Sequence, residues 1–356
     1  MSKKIAVVCN YALSPNRIGG MDRFWVAYDT KVKDLGYEID WYFTDYNAFA
    51  FFSELTIVCS NNHNIESFFL KKVVQENLQY DVLVTHFLAL CTSFFKNAKK
   101  TGIQLTIAVD HNPRPLEGFP LDKILKNKVK GILYSKYIDK FIGVSEYTKK
   151  HILKDYGFFL SKKITVIYNG IDTNVFVKRI KENTNRFIVT SHLREAKGIQ
   201  DLLKALSLLE SSILNKMQID VYGEGPYGIE LRKLTDEFDL KEVVTFKGSS
   251  SKLNEIYSDY AYLIQPSYGE TFCYSIIESL LCNVPVITTF EAGNVLSIIE
   301  ENINGFLFNA RNYQQLAIIL KNIVLEKVSI SNDVDVQIVN DFNLEKMVHN
   351  HIQLLL

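Results

Sequence analysis

Residues 266–285 read PSYGETFCYSIIESLLCNVP. The run before them, 261–264, is short and continuously apolar, the mark of a strand buried on both faces. Pro266 ends that strand, and a loop carrying Glu270 follows. From about 271 to 282 apolar residues recur at helical spacing, with Ile276, Ile277, Leu280 and Leu281 on one face. Thr271 and Ser275 are candidate caps. Asn283 stands where a helix needs a left-handed stop, which Asn accepts second only to Gly. Residues 284–288 form the next strand. Strand, tight loop and helix make an anion site, because the first N–H groups of a helix lack partners and its macrodipole is positive at that end. Glu270 and Glu278 flank the site. A phosphate on the helix N-terminus, with carboxylates accepting from hydroxyls on either side, is the pattern of a ribose diol, a pyrophosphate and a sugar polyol.

The stretch resembles the signature of retaining, nucleotide-sugar-dependent glycosyltransferases of the B fold, specifically glycosyltransferase family four. That signature is a Glu, seven residues, a second Glu, a small residue and a Pro-Val-Ile strand. Here these are Glu270, Glu278, Asn283 and Pro285-Val286-Ile287. Cys273 and Asn283 occupy positions where the family usually has Gly.

The totals agree with a folded, two-domain chain. It has 356 residues, 47% hydrophobic, and no stretch approaching the eighteen or so apolar residues of a spanning helix. The formal net charge is zero, so no nucleic-acid footprint is expected. The halves differ: residues 1–177 hold 23 Lys+Arg against 17 Asp+Glu, and the remainder the reverse. Five scattered cysteines, none in a Cys-x-x-Cys pair, fit reduced thiols and a cytoplasmic location.

Working outward, residues 4–9 are a first strand, followed by Gly19-Gly20, a helical pattern over 21–35 and a second strand at 37–43, a βαβ unit. Residues 44–56 are aromatic-rich and read as core beneath a loop. Apolar strands at 81–85 and 105–109 end at His86 and His111, at the sheet edge where ligands bind in open parallel sheets. His111, in a loop with Asn112, Pro113 and Arg114, is the stronger candidate. The lysine-rich segment 122–140 suits an amphipathic helix with a cationic face, either simply solvated or holding anionic lipid. Strands at 141–145 and 164–168 complete the first half. The polar stretch 179–185 marks a domain boundary. Strand–helix alternation restarts at 187–190, and Arg194 and Lys197 precede the next helix, two cations suited to a pyrophosphate. Strands at 219–222 and 243–246 follow, the first leading into Gly223-Glu224-Gly225-Pro226. Asp333-Val334-Asp335 reads as a polar loop, not a metal site.

The family resemblance implies a two-domain α/β fold, two Rossmann-like parallel-sheet domains facing across a cleft. Residues 1–178 would bind the acceptor, 179–342 would bind the donor, and a terminal helix at about 343–356 would pack back on the first domain. It implies a retaining hexosyltransferase moving a sugar from a nucleotide-sugar, UDP favoured over GDP, to a hydroxyl of a glycan or lipid-linked acceptor, with no metal or other cofactor. The implied catalytic set is Glu270, Lys197, Arg194 and His111. The implied donor-binding set is Gly20, Glu278, Thr271, Phe272, Cys273 and Gly223. His192 stands at the family's usual Arg position, with Arg194 two residues on. A sugar-nucleotide epimerase of similar fold and an inactive nucleotide-sugar-binding subunit stay open as alternatives.

Overall fold

The continuously apolar runs become parallel strands. In the computed structural model, which describes residues 3–15, 18–179, 185–296, 298–330, 334 and 341–355, the chain divides into two units. Met1–Ile171 with Asn343–Leu356 form one, and Asp172–Phe342 the other.

The first unit holds β1 (Lys4–Cys9), β2 (Glu38–Phe43), β3 (Ile57–Cys59), β4 (Val82–His86), β5 (Leu105–Asp110), β6 (Lys140–Gly143) and β7 (Ile164–Val166). They form one parallel sheet in the order β3-β2-β1-β4-β5-β6-β7. Ile5, Ala6, Val7 and Val8 of β1, an interior strand, are fully buried, as expected where helices cover both faces. The Gly20–Asp34 helix follows β1. Gly19 caps it and donates its N–H to Asp22 Oδ2 at 2.8 Å. This helix packs against the Leu344–Ile352 helix, with the rings of Phe24 and His351 4.8 Å apart. The terminal helix therefore belongs to the first unit. In the aromatic stretch, Phe52 is buried and the half-buried rings of Tyr46, Phe49 and Phe51 pack edge-on against it, so the stretch is core only at Phe52.

The second unit holds β8 (Arg186–Thr190), β9 (Gln218–Tyr222), β10 (Val244–Gly248), β11 (Tyr262–Gln265), β12 (Val286–Thr289) and β13 (Gly305–Phe308), all parallel, in the order β10-β9-β8-β11-β12-β13. The chain passes into this unit at 171/172, ahead of the polar stretch expected to mark the boundary. Residues 172–179 are tied to it: Val177 N–H donates to the Asn254 carbonyl at 3.0 Å, and Arg179 N–H to that of Cys282 at 2.8 Å.

The helix of the deciding stretch runs Tyr274–Leu281, shorter at its start than the apolar periodicity predicts. Cys273 takes the N-cap position with extended backbone, in place of Thr271 or Ser275. The far end closes as expected. Asn283 has φ 58°, its N–H donates to the Leu280 carbonyl at 2.9 Å, and Val284 N–H donates to that of Ser279 at 2.9 Å. This paired closure satisfies two of the carbonyls a helix end leaves open.

Candidate functional site

In each sheet the strand order reverses direction once, between β1 and β4 in the first unit and between β8 and β11 in the second. Loops leaving the carboxyl ends of such neighbours diverge and open a ligand crevice. In the second unit those loops carry Lys197 and Glu270, which lie 73 residues apart in sequence and meet in space as an ion pair. Tyr268 N–H donates to the Ala196 carbonyl at 2.9 Å, fastening one loop to the other.

Glu270 is held from several sides. Ser267 Oγ donates to its Oε1 at 2.9 Å and Gln265 Nε2 at 3.2 Å. Ser267 is fixed in turn by Thr289 Oγ1 and Asn294 Nδ2, which donate to its carbonyl at 2.6 and 2.9 Å. Thr289 ends β12, so the loop after β11 is locked to the next strand. Burial disfavours the Lys197 ammonium, but the Glu270 carboxylate outweighs it and holds the group above its ordinary range. Lys197 is thus a fixed, permanent cation. Arg194 stands exposed at the cap of the Glu195–Lys197 turn, and His192 is also exposed.

Glu278, within the helix, accepts from Tyr257 Oη at 3.0 Å, and Thr190 Oγ1 lies 2.6 Å from the same Oη. Tyr257 is fully buried and joins the end of β8 to the helix. Cys273 is buried at the helix start, and its thiol is pushed up to about 12 by burial and by the neighbouring Glu270, so it is neutral. The Phe272 ring turns inward, against Tyr274 at 5.0 Å and Phe342 at 5.5 Å. Thr271 is half-buried between Glu270 and that ring. Gly223 follows β9 with φ 128°, and a Cβ there would meet the Ser191 carbonyl oxygen at 1.8 Å. Its glycine is accounted for by backbone packing against the loop after β8. Sequence reasoning missed Tyr257, Ser267, Gln265 and Asn294, since lone polar residues beside apolar strands carry no motif.

In the first unit Gly20 opens the first helix, and His111 is buried. His86 Nδ1 and His111 Nε2 are 2.9 Å apart, Phe87 stacks on His111 at 4.3 Å, and His351 of the terminal helix lies 6.3 Å from His86, ring to ring. The pairing of His86 with His111, and the third imidazole, were not foreseen. Arg114 anchors the loop, paired with Asp110 and Asp155 at 2.8 Å each. Burial and the neighbouring imidazoles push His86 well below the ordinary range. Burial takes His351 down to about 3, and burial with His351 alongside takes His111 to about 3.

These shifts fix a pH dependence. Below about pH 6.5 the unfolded chain takes up protons on these histidines, whereas in the folded unit His111 and His351 refuse them until about pH 3. Stability is therefore complete above the unfolded value and falls as pH drops through that window. Melting temperature is expected to fall between about pH 7 and about pH 5, and His351→Gln to flatten the dependence. An identical slope in that variant would remove the cluster as its source.

Two further features bear on ligands. A groove of about 480 Å³ opens at the carboxyl ends of β1 and β2, lined by Asn10, Thr44, Asn62, His63, Asn64 and Glu66 among others. Among the described residues no group of three or more His, Cys, Asp and Glu is arranged to hold a metal ion; Asp333 and Asp335 lie outside them.

Comparison with known proteins identifies the family. Residues 170–333 match the family Glycosyl transferases group 1, and residues 18–175 match Glycosyltransferase Family 4. The chain is 26% identical over 157 residues to the N-acetyl-alpha-D-glucosaminyl L-malate synthase of Bacillus anthracis, covering 41% of this chain and 40% of that protein. It is 22% identical over 264 residues to the poly(ribitol-phosphate) alpha-N-acetylglucosaminyltransferase of Staphylococcus aureus, covering 72% and 50%. The chain thus spans about half the length, or less, of these curated relatives. Among solved structures, Anabaena HepE in complex with UDP-glucose superposes with a TM-score of 0.79 at 18% identity, over 99% of both chains. The lipopolysaccharide outer core galactosyltransferase WaaB superposes with a TM-score of 0.72 at 16% identity, over 99% of both chains. With both halves matched and the paired parallel sheets in common, this chain belongs to the glycosyltransferases of the B fold.

Proposed function

We propose that the protein transfers a sugar from a UDP-sugar to a hydroxyl of a glycan or lipid-linked acceptor, with retention at the anomeric carbon. The observation that carries this reading is the Lys197–Glu270 ion pair at the β8/β11 reversal, beside the start of the Tyr274–Leu281 helix. The chemical difficulty is departure of a nucleoside diphosphate as an oxocarbenium-like centre forms. Lys197, Arg194 and the start of the Tyr274–Leu281 helix supply positive charge where the leaving pyrophosphate gathers its own. Glu270 accepts from hydroxyls of the transferred sugar, and Glu278 from the ribose. The bond from C1 to the diphosphate oxygen breaks, a bond from C1 to the acceptor oxygen forms on the same face, and the acceptor proton passes to a β-phosphate oxygen.

The first unit binds the acceptor in this reading. Its groove is rich in amides, which both donate to and accept from hydroxyls, so it suits a polyol. His111, buried and neutral, serves as a hydrogen-bonding group and not as a charge. Several relatives are named for N-acetylglucosamine, so UDP-N-acetylglucosamine is the first donor to try.

The test is a screen of radiolabelled nucleotide-sugars against glycan and lipid-linked acceptors in EDTA. Label is expected to move from a UDP-sugar to acceptor at an undiminished rate under chelation. Donor sugar epimerised and released to water, or donor held without turnover, would overturn transferase activity in favour of an epimerase or a binding subunit. Activity lost on chelation and restored by Mn²⁺ would overturn the cationic assignment.

A further inference from the structure

The Leu121–Tyr134 helix leaves five of its apolar residues uncovered. Leu121, Leu125, Val129, Ile132 and Leu133 are each between 52% and 78% exposed. At the helical repeat they fall within about 120° of arc, a single stripe. The helix packs on the unit through another face, where Asn127 and Gly131 are its buried residues and Gly131 abuts the Tyr156 carbonyl. Just past Tyr156, Phe158 and Phe159 are also exposed, at 77% and 57%. Five leucine-class side chains and two phenylalanines in one region are far from the singly scattered apolar residues normal to a protein surface.

Lysines border the stripe. Lys123, Lys126 and Lys130 project along one side of it and Lys128 along the other, between stripe and buried face. Asp122 is the sole acidic residue of this helix, and it pairs with Lys126 at 3.2 Å. A second copy of the chain is a poor cover, because stripe-on-stripe packing sets like charges against one another. An anionic bilayer matches both parts: acyl chains take the leucines and headgroups take the lysines.

We infer that the Leu121–Tyr134 helix lies in the surface of an anionic membrane with its apolar stripe inserted, and that this unit docks there by insertion as well as by charge. The inference is independent of the donor chemistry. A purely electrostatic contact would vanish as salt shortens the Debye length, whereas insertion leaves a salt-resistant part.

The full chain is sedimented with vesicles of phosphatidylcholine alone and of phosphatidylcholine mixed with phosphatidylglycerol, at low and high salt. Binding is expected with the mixed vesicles, weakened but not abolished by salt. Leu125→Ser with Ile132→Ser is expected to weaken it by about tenfold or more at both salt concentrations. Both side chains are exposed, so the fold and UDP affinity, followed by melting and calorimetry, are expected to stay as in the parent; a failed donor reading would appear in the UDP titration and not here. Absence of sedimentation with the mixed vesicles would overturn the inference. So would unchanged binding by the double variant, or a parent dimer in light scattering that the same variant converts to monomer.

Discussion

Lys197→Ala is expected to lower transfer by about two to three orders of magnitude, or about 3–4 kcal/mol of transition-state stabilisation, the size seen when one donor to a developing anion is removed. The loss has two sources. In the proposed reading the cation that faces the departing diphosphate disappears, and Glu270 is left in a half-buried site with two neutral donors, Ser267 and Gln265, in place of an ammonium. Because the two residues act as a unit, Lys197→Met and Glu270→Gln combined are expected to cost much less than the sum of the single losses. Arg194→Ala is expected to cost less than Lys197→Ala, since the guanidinium is exposed. Steady-state kinetics with the donor identified by screening measures all of these. Unchanged turnover in Lys197→Ala would remove the phosphate assignment, and strict additivity in the double variant would remove the coupling.

Gly293→Ala is expected to destabilise the second unit by about 3 kcal/mol or more and to weaken donor binding with it. A Cβ at this position would stand 1.4 Å from the Glu270 carbonyl oxygen and 2.5 Å from its carbonyl carbon. Both are backbone atoms, so no flexible side-chain tip can move aside, and the loop presenting Glu270 must shift. Gly228→Ala is the control. There the nearest atom is Leu193 Cδ1 at 3.2 Å, the end of a flexible side chain, and the position opens a helix. That change is expected to stay within about 1 kcal/mol, helped by the better helix propensity of Ala. Denaturant midpoints and UDP titrations of the two variants give the comparison. A native midpoint in Gly293→Ala would show that the Glu270 loop yields freely.

The strands were legible because a strand in a doubly covered parallel sheet must be apolar on both sides, and runs such as Ile5–Val8 and Leu263–Ile264 can be little else. Strand β3 escaped notice because three residues at a sheet edge are too few to show a period. Glu270 and Lys197 were each legible through local pattern. That Glu270 pairs with Lys197 was not, because local pattern says nothing of a contact across 73 positions. The same limit hid the meeting of His86, His111 and His351, which come from two strand ends and the terminal helix. In the Leu121–Tyr134 helix, lysine spacing revealed a cationic face, but periodicity cannot say whether an apolar stripe faces the protein or away from it. That is a property of what the helix packs against, here Gly131 against the Tyr156 backbone.

The return of the last helix to the first unit has a consequence for the order in which the chain matures on the ribosome. Leu344 N–H donates to the Ile171 carbonyl at 3.0 Å, so the polypeptide comes back to the spot from which it left. The second unit is one uninterrupted segment between those two points and is complete once about residue 342 has emerged. The first unit, although begun earlier, keeps Phe24, Tyr28 and His86 short of part of their cover until about residue 352 has emerged, because His351 supplies it. N-terminal domains ordinarily finish first during synthesis. Here residues 172–342 complete their unit before the segment that precedes them does, and the aromatic surface around Phe24 and Tyr28 is translated ahead of that unit yet covered after it.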